Sequence, residues 1–213
     1  MKNKIIEYIK HNRVSTTEIA DCLGKTGALE DVMPLNAKHF CVGEVAYLYA
    51  IEESNWSIHE DLQEAKTGKI VFIDAIDVNG RALIGDIVSK YILLYQGSIA
   101  IVTNGKMRDA HTLIKENYPI WCKGVSPVGC FNRPVNTEKF INQIEQGREK
   151  YEGAVFVCDD CGCVLIPKEQ LTEEFYCKIQ QIEEQEDIWY DCIDRKKWST
   201  FDTICLKKYL NRE

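Results

Sequence analysis

The chain has no apolar run long enough to cross a bilayer. Ala82–Ile84 and Ile99–Val102 are typical of its longest stretches, whereas a spanning helix needs about 20 residues. The opening Met1–Glu7 lacks the apolar segment and small-residue cleavage site of a secretory signal, so a cytoplasmic location is expected. There is no basic run interleaved with aromatics. Lys and Arg number 26 against 33 acidic residues, the net charge is −7 and the pI is about 5.3. A surface built to track phosphates is therefore not expected, nor is nucleic-acid binding. No Pro/Gly/Ser linker, low-complexity tract or internal repeat divides the 213 residues, a length that suits one sizeable α/β domain. Nor is there a glycine-rich G-x-G loop between a strand and a helix to hold a methyl donor.

Cysteine is plentiful, with ten residues, yet they are scattered through a chain with apolar residues enough for its own core. In a reducing compartment they pack as small hydrophobes, and Cys22, Cys177, Cys192 and Cys205 are expected on apolar helix faces. The Cys158–Cys163 run contains one C-x2-C pair. It lacks the second pair or His of a usual zinc site.

Periodicity predicts a short helix over 2–12 with Ile5, Ile6 and Ile9 on one stripe. A capping box at Ser15-x-x-Glu18 predicts another from Thr16. Residues 40–50 read as a strand with Gly43 as a bulge, Ser57-x-x-Glu60 as a helix cap, and Lys69–Asp74 as a buried strand. Two α/β repeats follow: helix 85–96 and strand 98–103, then helix 107–117 and strand 119–122. Strands are also predicted at 153–157 and 163–166. Strands alternating with helices indicate a sheet with parallel character. From Lys168 the chain is charged and helix-favouring, with a further cap at Ser199-x-x-Asp202. The expected organisation is an N-terminal helix (1–14), an α/β domain (15–167) and a helical C-terminal arm (168–213).

Three segments carry the candidate chemistry: Ala82-Leu83-Ile84-Gly85-Asp86, Asn104-Gly105-Lys106-Met107-Arg108-Asp109 and Lys123-Gly124-Val125-Ser126-Pro127. Helix N-termini present free N–H groups to a carboxylate. Gly85 allows close backbone approach, and Arg108 offers a two-pronged donor. Asp86 and Asp109 are hard oxygen donors of the kind Mg²⁺ takes. Taken alone, an Asp at a helix start usually serves as a cap, Arg-Asp is a common dipeptide, and Asp74 and Asp77 read as turn residues. The residues by themselves indicate a candidate site and no more.

Thr17–Gly24 (Thr-Glu-Ile-Ala-Asp-Cys-Leu-Gly) resembles the opening motif of the RraA-like family. That family contains the regulator of ribonuclease E activity A and the 4-hydroxy-4-methyl-2-oxoglutarate aldolases. The resemblance continues in order through Gly68–Asp74, Ala82–Asp86, Asn104–Asp109, Gly124–Pro127 and Asp159–Pro167. It implies a swivelling β/β/α domain, assembled as a homotrimer or a hexamer, with sites between subunits. It further implies Asp109 as ligand of Mg²⁺ or Mn²⁺, Asp86 as holder of a water on that cation, and Arg108 as binder of the substrate's oxygens. Backbone N–H groups of Gly85, Asp86 and Ile87 would hold a carboxylate. The implied reaction is lyase cleavage of a C3–C4 bond in a small 2-oxo acid substrate, with oxaloacetate decarboxylation by the same route.

The aldolase branch of the family keeps the first Asp and the Arg-Asp pair, as here. Residues 87–107 make the interval one residue longer than usual, and the extra residue is expected in the turn at Gln96-Gly97. The alternative is a non-catalytic regulator that binds a partner enzyme. Lys106 is the nearest lysine for Schiff-base chemistry, and His111 the nearest histidine. Glu183, Glu184 and Glu186 are the acidic residues of the arm that could complete a neighbouring site. Trp189, Trp198 and Phe201 are its apolar anchors, on a neighbour or on their own core.

Overall fold

The computed structural model describes residues 1–210, so the last three residues of the expected arm lie outside it. Helices α1 (Lys2–Asn12) and α2 (Thr16–Cys22) open the chain. The Ser15 box is present: its hydroxyl accepts the Glu18 N–H at 3.2 Å, and the Glu18 carboxylate accepts the Ser15 N–H at 2.6 Å. Two otherwise unpaired donors are satisfied by that exchange.

Next come β1 (Met33–Pro34), β2 (Cys41–Ile51), α3 (Trp56–Asp61), β3 (Ile70–Ile76) and β4 (Ala82–Ile84). Helix α4 (Asp86–Lys90) runs on into a π-helical turn, Tyr91–Tyr95. Then follow β5 (Ala100–Thr103), β6 (Lys106–Met107), α5 (Ala110–Lys115) and β7 (Ile120–Cys122). After these come α6 (Ile141–Tyr151), β8 (Val155–Asp159), β9 (Gly162–Ile166) and α7 (Glu173–Tyr190), with short helical turns at Asp191–Arg195, Phe201–Cys205 and Lys208–Leu210.

Seven strands form one sheet in the order β1-β7-β5-β3-β2-β8-β9, and β4 pairs with β6 separately. The β2, β3, β5 and β7 pairings are parallel; β8, β9 and β1 join antiparallel. Central strand β3 shows why the parallel part is interior. Ile70 and Phe72 feed one core cluster and Val71 and Ile73 the other, as period-two alternation requires. Segment 27–34 links the two outer strands: Ala28 pairs with Val164 of β9, and Met33–Pro34 pair with β7. The result is a mixed α/β fold around a nearly closed sheet, with a helical C-terminal portion.

Several local expectations are corrected. Gly43 lies in unbroken register opposite Phe156, so there is no bulge. It is small because a Cβ there would stand 2.8 Å from the Ile99 side chain. Asn55 precedes α3, and the Ser57 hydroxyl instead donates to the Tyr49 carbonyl at 2.7 Å. Cys158 faces Cys41 and Cys163 across adjacent strands, buried in the core, while Cys161 sits exposed in the β8–β9 turn. The C-x2-C pair therefore does not converge. Burial pushes the Cys41 thiol up to about 12. Cys177 and Cys205 are exposed, against expectation, because they lie on outer faces of the arm.

Helix α7 is capped by Thr172, whose hydroxyl accepts the Phe175 N–H at 3.2 Å. Its Phe175 and Ile179 pack with Ile5, Ile9, Ile19, Val155 and Val157. The Ser199 cap is also present, accepting the Asp202 N–H at 3.0 Å. Trp189 turns to its own chain and donates to the Tyr209 hydroxyl at 3.1 Å, whereas Phe201 is 61% exposed. No described helix is long and apolar enough to cross a membrane.

The base of α7 is thus part of the core. Ile179→Ala should lower unfolding stability by about 2–5 kcal/mol, read from urea unfolding. A loss under about 0.5 kcal/mol, the range of surface substitutions, would show the arm to be peripheral.

Candidate active site

The short β4–β6 pair builds the site. Ala82 pairs with Lys106 and Ile84 with Met107 in parallel, with a register irregularity between them. Ile84 and Met107 are buried and fix the pair to the core. Beyond the strands both chains turn at the same level. The Arg108 N–H donates to the Ile84 carbonyl at 3.0 Å. Gly85 then precedes α4, and Asp109 precedes α5 in the left-handed region, φ 58°, which Asp tolerates better than most residues. The helix predicted from residue 107 begins at Ala110. In the structure Lys106 and Met107 are strand, so Lys106 is a half-buried strand residue.

These turns touch. One Asp109 carboxylate oxygen accepts the Asp86 N–H at 3.1 Å and lies 3.6 Å from Arg108 Nε. A Cβ on Gly85 would stand 2.1 Å from that oxygen and 2.7 Å from Arg108 Cγ, so any larger residue must displace those side chains. The third segment arrives by backbone pairing: Met107 N–H donates to Gly124, and Ser126 N–H to Met107. Gly85, Asp86, Arg108 and Asp109 are therefore brought together as expected. The Asp86 N–H, expected to face a carboxylate ligand, is occupied by Asp109. Ile87 is 81% exposed beside them. With α4, it lines a cavity of about 280 Å³ shared with His59, Leu62 and Tyr91.

Other expected residues are placed elsewhere. Asp74 is no turn residue: it lies within β3 and accepts the Tyr47 hydroxyl at 3.1 Å and Asn104 Nδ2 at 2.6 Å. The Asn104 side chain in turn accepts the Ala75 N–H at 2.7 Å. That tie fixes the loop leading into β6. Glu183 and Glu186 are half-buried against their own chain, near Tyr8 and near Glu18 and Asp21. Burial first, then those neighbouring carboxylates, raises the Glu186 carboxyl. Of the three arm acids only Glu184 is exposed. His111 is exposed. The π turn at Tyr91–Tyr95 gives another place for the extra residue between Asp86 and Arg108, because a π turn holds one residue more than an α turn. Gly129 and Arg81 were not singled out in the sequence. Gly129 lies against Arg108 and Arg81 reaches the Gly129 carbonyl, and only the β4 pairing reveals it.

A divalent cation can be tested against the donors present. Among the described residues no group of three or more His, Cys, Asp or Glu is disposed to hold a metal. The site offers the Asp109 carboxylate, with Asp86 following Gly85 in the turn it touches. Mg²⁺ is bound through one or two carboxylates while keeping several waters, so this hard, sparse donor set fits Mg²⁺ or Mn²⁺.

The RraA-like family profile, described as Aldolase/RraA, matches residues 16–165, and the match includes every residue of the β4–β6 site. The chain belongs to the RraA-like family. A Halalkalibacterium halodurans protein named "Putative 4-hydroxy-4-methyl-2-oxoglutarate aldolase" is 28% identical over 179 residues, covering 80% of this chain and 81% of that one. A Pseudomonas syringae crystal structure of an uncharacterized protein superposes with a TM-score of 0.67 at 22% identity, over 90% of this chain and 92% of that one. A Streptomyces coelicolor structure, an unusual member of the RNase ES inhibitor RraA protein family, gives 0.66 at 21% identity, over 87% and 94%. These likenesses show a shared fold.

The Gly85 contact has a direct consequence. Gly85→Ala should displace the Arg108 and Asp109 backbone amide resonances while costing about 1–3 kcal/mol of stability. Unmoved resonances at both residues would show that the turns do not touch in solution.

Proposed function

We propose that the protein is a divalent-metal-dependent carbon–carbon lyase of the cytoplasm. Its substrates would be 4-hydroxy-2-oxo acids or a 2-oxo diacid such as oxaloacetate. The convergence of Asp86, Arg108 and Asp109 around Gly85 carries this reading. Ten free thiols suit a reducing compartment.

Asp109 would hold Mg²⁺ or Mn²⁺, and Asp86 would hold a water on that cation. The cation, when bound, supplies Lewis-acid polarisation of the 2-keto group. Arg108 binds the keto and carboxylate oxygens and offsets the negative charge that grows there as the C3–C4 bond breaks. For a 4-hydroxy acid, a water held by the Asp86 carboxylate would relay the hydroxyl proton to that carboxylate. The bonding pair of C3–C4 passes into the enolate of pyruvate, and C4 leaves as a carbonyl. Protonation at C3 completes pyruvate. With oxaloacetate the same electron movement releases CO₂. The N–H groups of Gly85 and Ile87 orient the substrate carboxylate, the Asp86 N–H being already engaged.

The site on one chain is an open ledge, with the Arg108 and Asp109 side chains 50% and 47% exposed. Along the helical stretch that starts at the site, Ile87, Leu94 and Tyr95 are 81%, 61% and 73% exposed. Apolar stripes of this kind mark protein interfaces, which supports the proposed homotrimer, alone or doubled to a hexamer. The likeness to the Streptomyces inhibitor-family structure supports a second reading, a non-catalytic regulator that covers a partner enzyme. Metal-dependent turnover separates the two.

Purified protein should release pyruvate from oxaloacetate or 4-hydroxy-4-methyl-2-oxoglutarate with Mg²⁺ and stop with EDTA. Asp109→Ala should be inactive. Arg108→Lys should lose roughly 100- to 1,000-fold in kcat, as when one stabilising donor is removed. If neither compound is turned over with metal present, the lyase reading falls. Leu94→Glu should reduce the native mass seen by light scattering to that of a monomer; an unchanged mass would place the interface elsewhere.

A further inference from the structure

Arg108 does not stand free. Its guanidinium lies against the backbone of Gly129, where an added Cβ would be 2.7 Å from Nη1 and 3.5 Å from Cζ. The Gly129 segment is strapped to β4 on both sides: the Ala82 N–H donates to Val128 at 2.8 Å, and the Cys130 N–H donates back to Ala82 at 2.9 Å. The other side of the same peptide is held by Arg81. Its Nη1 donates to the Gly129 carbonyl at 3.1 Å, and its Nε lies 3.0 Å from a Glu53 carboxylate oxygen. Asn79 donates to the second Glu53 oxygen at 2.8 Å, and the Phe131 N–H donates to the Glu53 carbonyl at 2.8 Å. Phe131 lies beneath the Arg81 guanidinium, 4.4 Å from ring centre to Cζ.

Arg81 is thus held in both directions. Its charge is matched by Glu53, one face is covered by an aromatic ring, and Nη1 donates to the peptide that backs Arg108. Side-chain exposure of 24% for Arg81 and 26% for Glu53 keeps the pair partly shielded from solvent. A guanidinium engaged at both Nε and Nη1 makes a good brace, because its planar fork fixes two partners at once.

We propose that Arg81, oriented by Glu53, is a positioning residue that sets the direction of the Arg108 guanidinium through the Gly129 peptide. This rests on the lyase reading for its effect on turnover, but the placement itself does not. A misplacement of about 1 Å in a catalytic group can cost roughly 100-fold, so the brace has kinetic consequences without touching substrate.

The test is a double-mutant cycle with Arg81→Met and Arg108→Lys, assayed for pyruvate release from oxaloacetate with Mg²⁺. Arg81→Met alone should lower kcat roughly 10- to 100-fold with a smaller change in KM. In the Arg108→Lys background it should cost less than about 3-fold, since residues acting as one unit are not additive. Equal losses in both backgrounds would overturn the proposal. Arg81→Lys keeps the Glu53 pair but shortens the reach to Gly129 and serves if the Met variant folds poorly; its loss should be similar. The Arg108 Nε–H resonance of ¹⁵N-labelled protein gives a readout independent of activity. It should shift in Arg81→Met and Glu53→Gln even if the wild type turns over neither substrate, which would sink the lyase reading alone. An unmoved resonance would overturn the positioning role whatever the activity.

Discussion

The candidate site depends on one close contact: the turn after β4 meets the turn after β6 where Gly85 has no side chain. Because nothing projects from Gly85, the Asp109 carboxylate can reach the Asp86 N–H, and Arg108 can lie along the same ledge. A methyl group there would displace both charged residues. The left-handed backbone at Asp109 belongs to the same constraint, since it aims the carboxylate back at α4.

The rest of the fold holds these turns at the right height. β4 and β6 are too short to be stable alone, and they are carried by the ends of β3 and β5. There the Tyr47–Asp74–Asn104 hydrogen bonds fix the loop that enters β6. Backbone pairing to residues 124–130 completes the frame. Parallel strands buried on both faces give that frame little freedom, because every side chain meets a packed layer.

Legibility in the sequence followed from how local each feature is. The Ser15 box, the Ser199 cap and the buried strand β3 are set by residues within one turn or one strand, and they appeared where expected. Ser57 was misread because its hydroxyl serves β2, eight residues away in sequence, and Gly43 because its constraint comes from Ile99. The paired C-x2-C spacing suggested nothing stronger than a core, and the strand register shows why: Cys158 is turned inward while Cys161 occupies the turn.

By itself, the sequence determined the alternation of strands and helices, the order of the motifs and the residue types at the site: a glycine, two aspartates and an arginine. Hydrophobic period and capping are local, so they survive without a structure. Tertiary structure alone decided that Asp109 occupies the Asp86 N–H, that Asp74 ties loops together and that Arg81 stands behind Arg108. Each of those relations joins residues more than 20 positions apart, and only the pairing of β4 with β6 and of β3 with its neighbours brings them together.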